Sequence, residues 1–187
     1  MNQIPSAVAG DLTTAAVGTI APEFTLTDPV TGKTIQLSDF RGRDVLLIFL
    51  RGTWCPFCRQ QLETLKANRD EIARANITVL TVACQNGAML RRYAEKHELP
   101  FPLLPDESRA VAKSYGTHYW LTWEGFNLSH PALFILDRDG RISFAYVGKN
   151  MRDLPLPTVL GRFLKFLQEA NDKADAGAAD PKASPAA

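Results

Sequence analysis

The sequence predicts an α/β sandwich: a mixed central sheet flanked by helices, with an N-terminal β-hairpin. Three observations carry this. Val45 to Leu50 is an unbroken apolar run of strand length, Ile77 to Ala83 reads as a second core strand, and each is followed by a helical stretch. A continuous run, rather than an alternating one, suits a strand covered on both faces. Late in the chain, Ala132 to Leu136 and Ile142 to Val147 flank Asp137-Arg-Asp-Gly140, a hairpin turn. Crossover helices between parallel strands, followed by an antiparallel pair and a last helix, build a two-sided layer structure.

Taken in order, residues 1 to about 16 are small and polar without a period and read as a flexible arm. Phe24-Thr-Leu26 and Thr34-Ile-Gln-Leu37 alternate around turn residues Asp28 to Lys33, which predicts a hairpin. A helix is expected from Pro56 to Ala75, with Leu62, Leu65, Arg69 and Ile72 at helical spacing. Gly87 to His97 is helical with its charges outward. Leu99 to Asp106 holds three prolines, which exclude a helix and leave a short extended segment beside the sheet. Glu107 to Tyr115 reads as a short helix. Thr117 to Ser129 reads as an aromatic loop, with Trp120, Trp123 and Phe126 expected to be buried rather than a flap. Pro157 to Ala170 is an amphipathic helix. The domain thus spans 17–170, and the Ala-, Asp- and Pro-rich residues 171–187 read as a disordered tail.

Bulk properties limit the function classes. The chain has 187 residues, enough for one well-buried core, and ordinary globular proportions of 45% hydrophobic and 22% charged residues. A net charge of +1 argues against a broad nucleic-acid surface. No apolar run approaches the ~20 residues of a membrane span, and the N-terminus lacks the basic and apolar regions of a signal peptide. Three cysteines are too few for a disulfide scaffold. The expectation is a cytoplasmic protein with a catalytic thiol pair.

That pair is Cys55 and Cys58, in Arg51-Gly-Thr-Trp-Cys-Pro-Phe-Cys58. Pro56 suits the first helical position, which puts Cys55 at the cap and Cys58 in the first turn. Free N–H groups and the positive helix end there favour a thiolate, the reactive form of cysteine. Two cysteines on one turn can also close a disulfide with little chain movement. The rival readings are a buried structural pair and half of a zinc site, the latter short of two ligands. Cys84, at a strand end, reads as an inert buried thiol.

The Trp-Cys-x-x-Cys after a strand resembles thioredoxin. Gly18 to Leu26, Leu37 to Gly42, Tyr93 to Asp106 and Phe134 to Ile142 together resemble the alkyl hydroperoxide reductase/thiol-specific antioxidant family, the peroxiredoxins. The resemblance runs from about Val17 to about Gly148 and implies a thioredoxin-like fold. The family spaces a Pro, a Thr and its peroxidatic Cys as Pro-x-x-x-Thr-x-x-Cys. On this chain Cys58 takes the peroxidatic position, Cys55 replaces the Thr and Arg51 replaces the Pro. The family's late Arg is replaced by Pro131, which resembles the cis-proline that faces the cysteines in thioredoxin, so a cis His130–Pro131 bond is expected.

The resemblance implies a thiol peroxidase acting on hydrogen peroxide or organic hydroperoxides. Cys58 would attack, Cys55 would resolve, and the Cys55–Cys58 disulfide would be reduced by a thioredoxin-like donor. No metal, haem or flavin is required. Arg51 is expected to lower a thiol pKa or orient the peroxide, with a solvated loop Arg as the alternative. Thr53, Trp54, His130 and Pro131 are expected to line the site. A thiol–disulfide oxidoreductase acting on protein disulfides, and a non-catalytic redox sensor, remain open, as does the choice between monomer and homodimer.

Overall fold

The computed structural model describes residues 15–122, 125–153, 159–162 and 164–165. The 1–16 arm, apart from its last two residues, Trp123, most of the 157–170 helix and the 171–187 tail lie outside them.

Strands β1 (Thr25–Thr27) and β2 (Thr34–Gln36) form the expected hairpin. Asp28 closes its turn by accepting from the Val30 amide and the Thr31 hydroxyl, the local bonding that makes Asp a turn former. A 3-10 turn, Leu37–Phe40, leads into β3 (Asp44–Leu50). Then follow α1 (Pro56–Ala67), α2 (Arg69–Arg74), β4 (Ile77–Ala83), α3 (Gly87–His97), β5 (Leu103–Pro105) and α4 (Ala110–Ser114). The chain continues through β6 (His118–Thr122), β7 (Gly125–Ser129), β8 (Ala132–Leu136) and β9 (Ile142–Val147).

The main sheet has the order β5-β4-β3-β8-β9. The first three strands are parallel and β8 runs antiparallel to both of its neighbours, β3 and β9, so the sheet is mixed as expected. Alternate residues of β3 feed two cores. Leu46, Ile48 and Leu50 pack with α1 on one face, while Val45, Leu47 and Phe49 pack with Tyr115 and Phe134 on the other. Burial on both faces explains the continuous apolar run. Val159, Leu160 and Leu164 of the C-terminal helical residues join the α1 side.

Two expectations change. The helix drawn from Pro56 to Ala75 is two helices, because Asn68 leaves helical geometry and its side-chain amide donates to the Thr64 carbonyl at 2.7 Å. Asn competes with the backbone ladder in this way. The aromatic loop is a hairpin, β6 paired with β7, in register Tyr119 to Leu128 and Leu121 to Phe126. Among the described residues it bonds to no third strand, and Trp120 and Phe126 are 64% and 54% exposed rather than buried. With both faces partly solvated, the segment carries no alternation for a sequence pattern to register.

No helix among the described residues is long and apolar enough to cross a membrane.

Candidate functional site

The C-terminal ends of β3 and β4 define the site. Leu50 ends β3 and the chain turns through Arg51 to Trp54 into α1. Gly52 makes this possible. Its φ of 155° lies where side chains are rarely tolerated, and a Cβ there would stand 2.4 Å from Trp54 Nε1 and 2.8 Å from Gln85 Oε1. Gln85, just past β4, fastens the turn: its Oε1 accepts the Thr53 amide at 2.8 Å, and its amide nitrogen donates to Thr53 Oγ1 at 3.0 Å. Arg59, one turn into α1, donates to the Thr53 carbonyl from the other side.

Cys55 is the N-cap of α1 and Pro56 occupies its first turn, as the spacing predicts. Cys55 and Cys58 are each 1% exposed. Their acidities are driven apart. The Cys58 thiol donates to the Cys55 sulfur, and this outweighs burial. Backbone N–H groups of Cys58 and Phe57 and the charge of Arg51 add to it, and the Cys55 pKa falls to about 5. For Cys58 the same hydrogen bond, burial and the Cys55 charge all push the pKa up, so it holds its proton. A thiolate next to a thiol on one helical turn can act as a nucleophile and its resolving partner.

Arg51 is 1% exposed and is not a solvated loop residue. Its Nε donates to Tyr119 Oη at 3.3 Å, and its guanidinium carbon lies 5.1 Å from the centroid of the Trp54 ring. Trp54 is 48% exposed and forms the outer wall of this end of the site. The structure places Arg51, Thr53, Trp54, Cys55 and Cys58 on the turn from β3 into the first turn of α1.

Pro131 precedes Ala132, the partner of Phe49, and so lies beside the end of β3 from which the cysteine turn departs. The expected cis bond is not present: His130–Pro131 is trans. The chain passes extended from β7 to β8, with the His130 amide donating to the Thr117 carbonyl and the Pro131 carbonyl accepting from Gly148, both at 2.8 Å. This removes one thioredoxin-like feature. The His130 ring lies 4.6 Å from that of Tyr119.

Gln85 and Tyr119 are the site residues that sequence reasoning missed. Cys84 is buried, and burial beside Asp106 raises its pKa to about 12, which fits an inert thiol. A cleft of about 390 Å³ lined by Leu65, Ile72, Ile77, Val79 and Phe101 is remote from this chemistry. It borders Ile77, at the opposite end of β4 from the sulfurs.

Residues 17–145 match the model of the AhpC/TSA family. The chain is 34% identical over 131 residues to peroxiredoxin Bcp of Escherichia coli (strain K12), covering 69% of this chain and 83% of that one. It is 25% identical over 138 residues to the thiol-disulfide oxidoreductase ResA of Bacillus thuringiensis, covering 73% of each. Among solved structures, peroxidoxin BcpB from Mycobacterium tuberculosis superposes with a TM-score of 0.71 at 19% identity, over 82% of this chain and 96% of that one. The chain belongs to the AhpC/TSA family, and within it is a peroxiredoxin-like protein of the thioredoxin superfamily.

Proposed function

We infer that this chain is a thiol-dependent peroxidase whose working residues are Cys55, Cys58 and Arg51. The activity class follows from family membership. The residue roles rest on one arrangement: Cys55 caps α1 with Cys58 in its first turn, a pairing that lowers the Cys55 pKa and raises that of Cys58. The Cys55 thiolate attacks one peroxide oxygen, the O–O bond breaks, and the departing oxygen leaves as alcohol or water once protonated. Cys55 is then a sulfenic acid. The Cys58 sulfur attacks it, a Cys55–Cys58 disulfide forms and water leaves. An external dithiol donor of the thioredoxin type supplies two electrons by thiol–disulfide exchange and returns both thiols. The cytoplasm, where such donors keep thiols reduced, suits this cycle.

A second order of attack is favoured by the family register, which places Cys58 at the peroxidatic position. The acidities favour the reverse, since the thiolate is the nucleophile and Cys58 keeps its proton. Arg51 supports the thiolate electrostatically, and Thr53, Trp54, His130 and Pro131 line the approach. A thiol–disulfide oxidoreductase is the alternative function, supported by the likeness to ResA. Peroxide consumption by the reduced protein, with and without a thioredoxin system, separates them. Consumption that is stoichiometric alone and catalytic with the donor supports the peroxidase. Reduction of a protein disulfide without peroxide consumption supports the alternative.

A further inference from the structure

We propose that Tyr119 is a positioning residue for the cysteine site, holding the Arg51 guanidinium where it acts on Cys55, so that the β6–β7 hairpin controls the thiolate. This rests on the peroxidase reading above for its catalytic consequence, on the Arg51 charge favouring the Cys55 thiolate, and on geometry for the Arg51–Tyr119 contact. Arg51 and Tyr119 are 68 residues apart in sequence, yet Arg51 Nε donates to Tyr119 Oη at 3.3 Å in a buried setting. The opposite strand of the hairpin borders the same guanidinium. A Cβ on Gly125 would stand 3.2 Å from a terminal guanidinium nitrogen of Arg51 and 3.4 Å from Tyr119 Oη. Trp54 packs against the guanidinium, and His130 packs against the Tyr119 ring. The cation is thus seated by side chains from the cysteine turn and from the hairpin, which among the described residues is a two-stranded sheet of its own.

A hydrogen bond to a charged donor in a buried site fixes direction as well as distance. Without the hydroxyl, the guanidinium loses this hydrogen bond to the hairpin, and its field at the Cys55 sulfur weakens. Tyr119 bonds to Arg51, so its effect is expected to run through Arg51.

The test uses the full chain as wild type, Tyr119→Phe, Arg51→Gln and the double variant, all reduced. Thiolate absorbance against pH reads Cys55, and initial peroxide consumption reads the reaction. Tyr119→Phe, which keeps the ring, should move the thiolate titration upward and lower the peroxide rate constant near its foot by roughly three- to tenfold, the scale of one hydrogen bond. In the Arg51→Gln background the same change should add nothing, because the two residues act as one unit. Gly125→Ala, which crowds the guanidinium from the other strand, should move the titration in the same direction. An unmoved titration in both Tyr119→Phe and Gly125→Ala overturns the proposal, as does an equal Tyr119→Phe effect with and without Arg51. If the wild type consumes no peroxide, the peroxidase reading fails, and the titration still decides the role of Tyr119.

Discussion

Cys55 caps α1 and Cys58 sits in its first turn, and the pairing of the two thiols pushes the Cys55 pKa down and the Cys58 pKa up. The rate of peroxide consumption should therefore follow a single ionisation with its midpoint at pH about 5. Above that value the rate should be flat until Cys58 begins to lose its proton. Stopped-flow peroxide consumption against pH measures it. A midpoint near the ordinary thiol value of about 8.5 would mean that Cys55 is not the nucleophile or that its cap stabilises no charge.

The roles of the sulfurs should separate in the serine variants. Cys58→Ser should consume one equivalent of peroxide rapidly and hold a sulfenic acid at Cys55, because the nucleophile is kept and its resolving partner is gone. Cys55→Ser should react slower by on the order of tenfold or more, since Cys58 then lacks a depressed pKa. Sulfenic-acid trapping with mass spectrometry assigns the site. Rapid trapping at Cys58 in Cys55→Ser, with none at Cys55 in Cys58→Ser, would restore the order given by the family register.

The local parts of this site were legible in the sequence because they depend on neighbours in the chain. A strand, a glycine turn, a cap and Pro56 fix where Cys55 and Cys58 sit, whatever the rest of the protein does. The parts that were not legible are contacts across the fold. Gln85 reaches Thr53 over 32 residues and Tyr119 reaches Arg51 over 68, and neither belongs to a motif. The hairpin that carries Tyr119 was hidden because its exposed aromatic residues break the alternation expected of a half-buried strand. The trans His130–Pro131 bond shows the reverse error: a local likeness to thioredoxin was extended to a backbone set by strand connections.

Replacing Gln85 should loosen the cysteine turn without touching a sulfur. Gln85→Leu fills similar volume but leaves the buried Thr53 amide without its acceptor. A buried donor left unsatisfied costs about 1–3 kcal/mol. Chemical denaturation of the reduced variant should show a loss of that size with an unchanged slope. Gly52→Ala should cost at least as much, because its Cβ meets both Trp54 and Gln85 at a backbone angle that disfavours side chains. No loss in either variant would mean that the turn is held mainly by Arg59 and the strand ends.

Reduction should make stability depend on pH in a sense fixed by the sulfurs. Folded Cys55 ionises near pH 5, whereas an unfolded cysteine ionises near ~8.5. Between those values the unfolded chain binds more protons, so stability rises with pH. The contribution is fully present above the unfolded pKa and is lost as pH falls toward about 5. Cys58 and Cys84 have raised pKa values, Cys84 to about 12, and their effect is opposite. They are neutral in both states below ~8.5, and above it the unfolded chain releases protons that the folded chain keeps. The reduced protein should therefore be most stable near the ordinary thiol pKa, after other ionisations are subtracted with a Cys55→Ser control. That control should lose the acidic slope and keep the part of the alkaline one that Cys84 supplies. Denaturation midpoints against pH for reduced wild type and Cys55→Ser make the comparison. Identical acidic slopes would show that no thiolate is stabilised at the cap of α1.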